Sequence, residues 1–312
     1  MLPTTRILSA LLLGVGVALG VVGILGPRWV NTDARLPLDL SQTTFTLKDD
    51  HARTRLINGG RVLDAGVVRQ LHMDILPPTD ADTATVRIGV SDSRESRQED
   101  VDRLIQASVW TYPLNRLSGE ALVPATVSSQ LGSPTEKVSV AGPWLKFPSD
   151  AQQTTYEVFD PTLRSAIPAV FSEEIDRGGR TIYRYSQDIK PTNVAEKYAS
   201  VFNTTQKGEN TLYLYHSGNR QWYVDQISGL VVDVEENIED YFGDADGTRR
   251  EDALIFHGRM SEDDKAALFE QASAVSDGSV ARVLYRVALV AGVLLSAVGL
   301  LGAFRRRPVA LH

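Results

Sequence analysis

The sequence predicts a mainly β (α+β) protein, a β-rich extracytoplasmic domain flanked by N- and C-terminal transmembrane helices. Three observations predict it. Long uncharged apolar runs occupy residues 7–26 and 287–304. Between them, short stretches alternate apolar and polar residues with the period of a half-buried strand. One aromatic-led turn pattern in that middle region occurs twice, at an offset of 110 residues. The composition of the 312 residues agrees: 43% hydrophobic and 23% charged suits a folded chain, and a net charge of −7 excludes nucleic acid as a partner of the usual kind. With no cysteine, thiolate nucleophiles, thiolate zinc sites and disulfides are all excluded.

The first run spans a hydrocarbon core, since twenty helical residues rise about 30 Å. It exceeds the 7 to 15 apolar residues usual in a cleaved signal peptide and ends in Gly26-Pro27-Arg28-Trp29, so residues 1–27 are expected to be an uncleaved anchor. The second run lies between Arg286 and the triplet Arg305, Arg306 and Arg307, the pattern of a stop-transfer helix with a basic tail at 305–312. Two spans put both termini on one side. Subtracting the four terminal arginines, Arg6 and Arg305 to Arg307, from −7 leaves −11 on the middle region. The expected arrangement is therefore a two-pass protein of the cell (inner) membrane, with cytoplasmic termini and an extracytoplasmic domain. Small residues form one pair at Gly16 and Gly20 and another at Gly292 and Ser296, spacings that let helix backbones approach.

In the middle region, Thr44-Phe45-Thr46-Leu47, residues 84–90, residues 181–185 and residues 211–216 alternate as strands. Gly178-Gly179 and Ser217-Gly218-Asn219 stand where hairpin turns are expected. Ser261 followed by Glu262, Asp263 and Asp264 starts a helix, and 251–286 reads as a juxtamembrane helical segment. The repeat aligns Tyr112-Pro113-Leu114-Asn115-Arg116-Leu117-Ser118-Gly119 with Trp222-Tyr223-Val224-Asp225-Gln226-Ile227-Ser228-Gly229. In each copy Asn115 or Asp225 folds onto the turn backbone, beside Ser118 or Ser228, and Gly119 or Gly229 supplies the positive φ that reverses the chain. The repeat predicts two related β-rich subdomains, at 28–150 and 151–250. Between them, Phe159-Asp160-Pro161-Thr162-Leu163-Arg164 reads as a joint in which Pro161 fixes a turn, Asp160 caps it and Arg164 reaches an acidic partner.

The repeated hairpin looks like that of periplasmic lipoprotein carriers of the LolA type, whose half-barrel holds acyl chains. A wider resemblance covers nearly the whole chain. Leu36-Pro37-Leu38-Asp39-Leu40, Lys146-Phe147-Pro148, Tyr156 with residues 159–164, the 222–229 hairpin and the closing helix with its Arg tail resemble the actinobacterial PorA-like family of cell-envelope membrane proteins. That resemblance implies an envelope location and, by the family's name, a porin. It carries over no catalytic residues.

Chemical motifs are sparse. Asp244-Ala245-Asp246-Gly247 starts like a calcium loop, but Ile255 stands where the twelfth-position glutamate belongs. Glu173 and Glu174, with Asp176, are strand neighbours that point to opposite faces and read as exposed charges. His51, His72, His216, His257 and His312 show no metal-ligand spacing. No hydrolase, kinase or dehydrogenase fingerprint occurs. The sequence thus predicts no enzyme, cofactor or metal. It favours an ectodomain that binds a hydrophobic envelope ligand, a lipid or glycolipid, an architecture like that of class B scavenger receptors. The alternatives are a scaffold or assembly subunit whose partners are other envelope membrane proteins, and a porin-like channel. Two helices without a polar stripe do not enclose a lumen alone, and the strands are short for a membrane barrel.

Overall fold

The computed structural model describes residues 4–29, 33–55, 61–95, 103–129, 134–276 and 278–304. The basic tail and His312 lie outside the described residues. The chain forms two compact units, one of Met1–Ala34 with Ser276–His312 and one of Arg35–Val275. Among the described residues, three α-helices, α1 (Thr4–Trp29), α2 (Glu262–Ser273) and α3 (Ser279–Phe304), and one 3₁₀ turn (Val194–Glu196) accompany fifteen strands.

The first unit is the antiparallel pair of α1 and α3. Both are long and apolar enough to cross a membrane. α3 begins eight residues before the expected 287, and its first two turns include Arg282 and Arg286. A methyl group on Gly16 would lie 2.5 Å from the Ser296 backbone nitrogen, and one on Gly292 would lie 2.5 Å from that of Gly20. The backbones therefore touch where the four small residues meet. The stripe continues with Gly23 against Leu289 and Gly299 against Leu13. Gly23 and Gly299, seven residues beyond Gly16 and Gly292, keep one face of each helix in contact over further turns. Larger apolar side chains such as Leu11, Val293 and Leu301 point outward, as lipid would require.

The second unit is one antiparallel sheet. Its strands are β1 (Thr44–Asp49), β2 (Arg53–Arg55), β3 (Val62–Asp64), β4 (Gly66–Thr79), β5 (Thr83–Glu95), β6 (Leu104–Asn115), β7 (Ala125–Ser128), β8 (Glu136–Val138), β9 (Tyr156–Asp160), β10 (Ser165–Arg177), β11 (Arg180–Asn193), β12 (Thr204–Lys207), β13 (Asn210–Asp225), β14 (Val231–Gly243) and β15 (Arg249–Met260). The hydrogen-bonded order is β8-β7-β6-β5-β4-β1-β15-β14-β13-β11-β10-β9, with β12 on β13 and the pair β2 and β3 on β15. The first half of the path comes from the first half of the unit. The halves join at β15, which pairs with β1 and with the short strand β2. The sheet folds back so that inward faces meet, with Trp110 of β6 stacked edge-on to Phe159 of β9 at 5.3 Å.

Three sequence expectations are corrected here. The strands form a single path within one compact unit, Arg35–Val275, where the sequence suggested two subdomains divided near residue 150. The helical segment expected over 251–286 begins with strand. Leu254, Phe256 and Met260 alternate inward through β15, and only α2 and the start of α3 are helical. Ser217-Gly218-Asn219 is not a hairpin turn but an irregularity inside β13. There Gly218, at φ 150°, passes so close to the Asn237 carbonyl that a side chain would collide. Gly178 and Gly179, at φ 62° and 81°, do make the β10–β11 turn.

Candidate functional site

The inward face of the sheet carries charge. Arg69 of β4 is in phase with Val67, Leu71 and Met73, and Asp92 of β5 with Val86, Ile88 and Val90, so all of them point inward. From the other half come Arg220 and His216 of β13, Glu236 and Asp240 of β14, and Asp160 of β9. Each of these seven residues is at most 9% exposed.

They form one chain of contacts. Arg69 donates from Nε and Nη2 to both Asp92 oxygens, at 2.7 and 2.6 Å, and from Nη1 to Glu236 at 2.5 Å. The other Glu236 oxygen accepts from Arg220 Nε at 2.5 Å. Arg220 Nη1 reaches Asp160 at 3.2 Å and Gln187 at 2.9 Å. His216 then lies between Asp160, 3.3 Å from Nε2, and Asp240, 2.6 Å from Nδ1. With a carboxylate at each nitrogen, the imidazole is held as the cation. Burial alone would lower its pKa, yet Asp240 and Asp160 raise it to about 10. Burial works against Glu236 likewise, but Arg69 and Arg220 bring it down to about 2. Asp160, also buried, is held well below the usual carboxylate range by His216, Arg220 and the Leu163 N–H.

Chemically this cluster is closed. Three cations and four carboxylates satisfy one another, with Asp240 at the rim. Among the described residues no group of three or more His, Asp or Glu side chains is disposed to hold a metal. A cavity of about 20 Å³ lies beside Arg69, Gln106, Arg220, Glu236, Trp144 and Trp222, room on the order of one water molecule. Aromatic rings fill the space around it. Trp110, Trp144 and Phe159 meet edge to face at 5.3 to 5.8 Å, and Phe147 stacks on Tyr185 beside Tyr156 and Trp222.

The two repeated turns sit together at one end of the sheet. Asn115 Oδ1 accepts from the N–H groups of Leu117 and Ser118 at 2.8 and 3.0 Å, while Asp225 Oδ2 accepts from Ser228 N at 2.7 Å. Gly119 and Gly229, at φ 77° and 68°, each donate to the turn's first carbonyl at 2.8 Å. Segment 146–151 runs between them: Phe147 N donates to Gly229 O and Ser149 N to Leu117 O. Lys146 is buried there, its ammonium donating to the carbonyls of Leu117 and Phe147 and to Ser149 Oγ. Burial lowers its pKa to about 7, against the pull of Asp225.

Residues 160–164 are not a joint between subdomains but the turn of the β9–β10 hairpin. Asp160 Oδ1 accepts from Leu163 N at 2.7 Å, Phe159 is wholly buried, and Pro161 lines the small cavity. Arg164, at φ 51°, pairs with Glu136 of β8 and lies 3.6 Å over the Tyr198 ring. Glu173 and Glu174 are exposed, the former paired with Arg184. Asp244 pairs with Arg250.

The sequence reading missed the ion cluster. Its signal was present: Arg69, Asp92, Arg220 and Glu236 each occupy the inward phase of an otherwise apolar alternation. Across the whole chain, two comparisons bear on what this arrangement is. A curated relative described as "Porin PorA", from Corynebacterium amycolatum, is 26% identical over 140 residues, which cover 42% of this chain and 36% of the relative. The chain thus spans little more than a third of the length of that relative. The family model described as "Porin PorA" matches residues 8–301, from the first apolar helix through the sheet to the second, and the chain belongs to that family.

Proposed function

We propose that this protein is a two-pass envelope membrane protein, with cytoplasmic termini and an extracytoplasmic β unit, that serves as a noncatalytic scaffold or assembly subunit of a membrane complex. One observation carries this reading: the described interior of the β unit is packed with aromatic rings and paired charges. An acyl chain or glycolipid needs a contiguous apolar cavity of several hundred Å³, and the cavity beside Arg220 is about 20 Å³ with charged walls. A buried salt bridge adds less stability than an apolar core of the same volume, but it fixes which faces pair, a property suited to a rigid support.

Purification of the full chain in mild detergent tests the reading. A protein partner at fixed stoichiometry, lost on replacing Gly16 and Gly292 by leucine while the β unit keeps its circular dichroism, is the expected result. Native mass spectrometry that finds a bound lipid at fixed stoichiometry and no protein would overturn it.

The family description favours a second reading, a channel. Two apolar helices enclose no aqueous path, so several copies would have to assemble around one. Single-channel conductance of the purified full chain in a planar bilayer, scaling with oligomer and not with monomer, would establish that reading.

A further inference from the structure

One end of the β unit is both apolar and the place where the chain enters and leaves. Arg35 donates to Ala81 O, and Leu36 N to Arg116 O, which fastens the incoming chain to turn 115–119. At the other exit Arg180 donates to the Ala272 and Val275 carbonyls at 3.0 and 3.1 Å while holding Asp225 of turn 225–229. Gln271 closes the gap by bonding the backbone of Ser41 and Gln42. Around these exits Leu38, Leu117, Leu122 and Val123 are 39 to 52% exposed. Leu122 N donates to Pro113 O, which keeps Leu122 and Val123 alongside the same turn.

We infer that this end of the β unit rests in the interfacial layer of a lipid bilayer, with Leu38, Leu117, Leu122 and Val123 as its contacts. The inference rests on the two-pass reading. Residues 276–278 alone connect the unit to α3, and three extended residues reach about 10 Å. A cluster of exposed aliphatic side chains beside so short a tether meets lipid before it meets anything else. The exposed charges nearby, Asp39, Asp82 and Glu120, are acidic, so the contact is apolar and does not depend on anionic headgroups.

The absence of cysteine allows a direct test. Nitroxide labels are placed on L117C, L122C and V123C of the full chain in phosphatidylcholine nanodiscs. V201C, 81% exposed in the segment before β12, beside the start of β13, and V293C of α3 serve as references. Collision with oxygen is compared with collision with a soluble nickel chelate. Labels at 117, 122 and 123 are expected to favour oxygen several-fold over V201C, in the direction of V293C. Labels that match V201C while V293C reports lipid overturn the inference and leave the two-pass reading standing. Protection from both quenchers at 117 and 122 also overturns it, in favour of a protein partner. A water-exposed V293C overturns the two-pass reading itself.

Discussion

Turns 115–119 and 225–229 share a backbone and differ in their electrostatic surroundings. Both start with a side chain that accepts N–H groups two or three residues on, and both end with a left-handed glycine against segment 146–148. At the first, the capping side chain is a neutral, half-buried Asn115. At the second it is Asp225, wholly buried, gripped by Arg180 at 2.6 and 2.9 Å and by the Ser228 hydroxyl at 2.5 Å. Arg180 explains the difference. Its guanidinium also satisfies two carbonyls at the end of α2, where a cation suits the helix dipole, and, half-buried there, it gains from a counter-charge. The first turn abuts no such helix end. One geometry has thus been kept while its charge follows the neighbour.

Asp225→Asn separates the two turns most strongly. It leaves the half-buried Arg180 without a full counter-charge, and a loss of about 3 kcal/mol is expected, the low end for half-broken buried pairs. The midpoint of urea unfolding, followed by near-ultraviolet circular dichroism of the detergent-solubilised chain, measures it. A loss under 1 kcal/mol would mean that Arg180 does not depend on Asp225.

Next in size are Gly119→Ala and Gly229→Ala, which probe what the turns have in common. A methyl at 119 would fall 1.8 Å from Lys146 O, and one at 229 would fall 2.1 Å from Phe147 O. Each adds left-handed strain to a backbone collision, so about 2 to 3 kcal/mol is expected from each. Similar losses at the two sites would show that the turns are equivalent in backbone energetics. A tolerated substitution at one would show that the likeness is superficial.

Legibility in the sequence follows the same division. The two long apolar helices were readable because a hydrocarbon core demands length and apolarity, and the turns because positive φ demands glycine and a capping side chain. That β1 joins β15 was not readable, since pairing across two hundred residues leaves no local trace. The ion cluster was half readable. A charged residue in the inward phase, such as Arg220 between Gly218 and Trp222, flags burial, but its partners Asp160 and Glu236 come from strands whose neighbours only the fold reveals. His216 lacks metal-ligand spacing, and spacing along the chain carries no trace of the carboxylates that meet it from other strands.

Buried cations at two places set opposite pH dependences. His216 keeps its proton to about pH 10 when folded, against 6.5 unfolded, so its contribution is complete below 6.5 and is lost as pH rises through 10. Lys146 releases its proton near 7 when folded and 10.5 unfolded, so stability rises with pH across that window. The two slopes oppose each other between pH 7 and 10, and the wild-type protein should be nearly flat there. Lys146→Met uncovers the falling slope and His216→Gln the rising one, each on the order of 1 kcal/mol per pH unit. Urea midpoints at pH 7, 8 and 9 decide it. Parallel profiles for wild type and both variants would show that neither group is perturbed.

Asn115→Asp gives the smallest effect and the finest test of the comparison. The carboxylate would accept from Leu117 N and Ser118 N as the amide does, and at this half-buried position it needs no arginine, so stability should change by less than about 1 kcal/mol. It does, however, place a negative charge on the turn whose Leu117 carbonyl accepts from the Lys146 ammonium at 3.1 Å. An added negative charge on that turn favours the protonated amine. The Lys146 pKa should therefore move up from about 7, and the start of the rising slope seen in a His216→Gln background should move up with it. An unchanged onset in the double variant would mean that Asp225 alone sets the field at Lys146. The two turns would then differ in charge without either being able to stand in for the other.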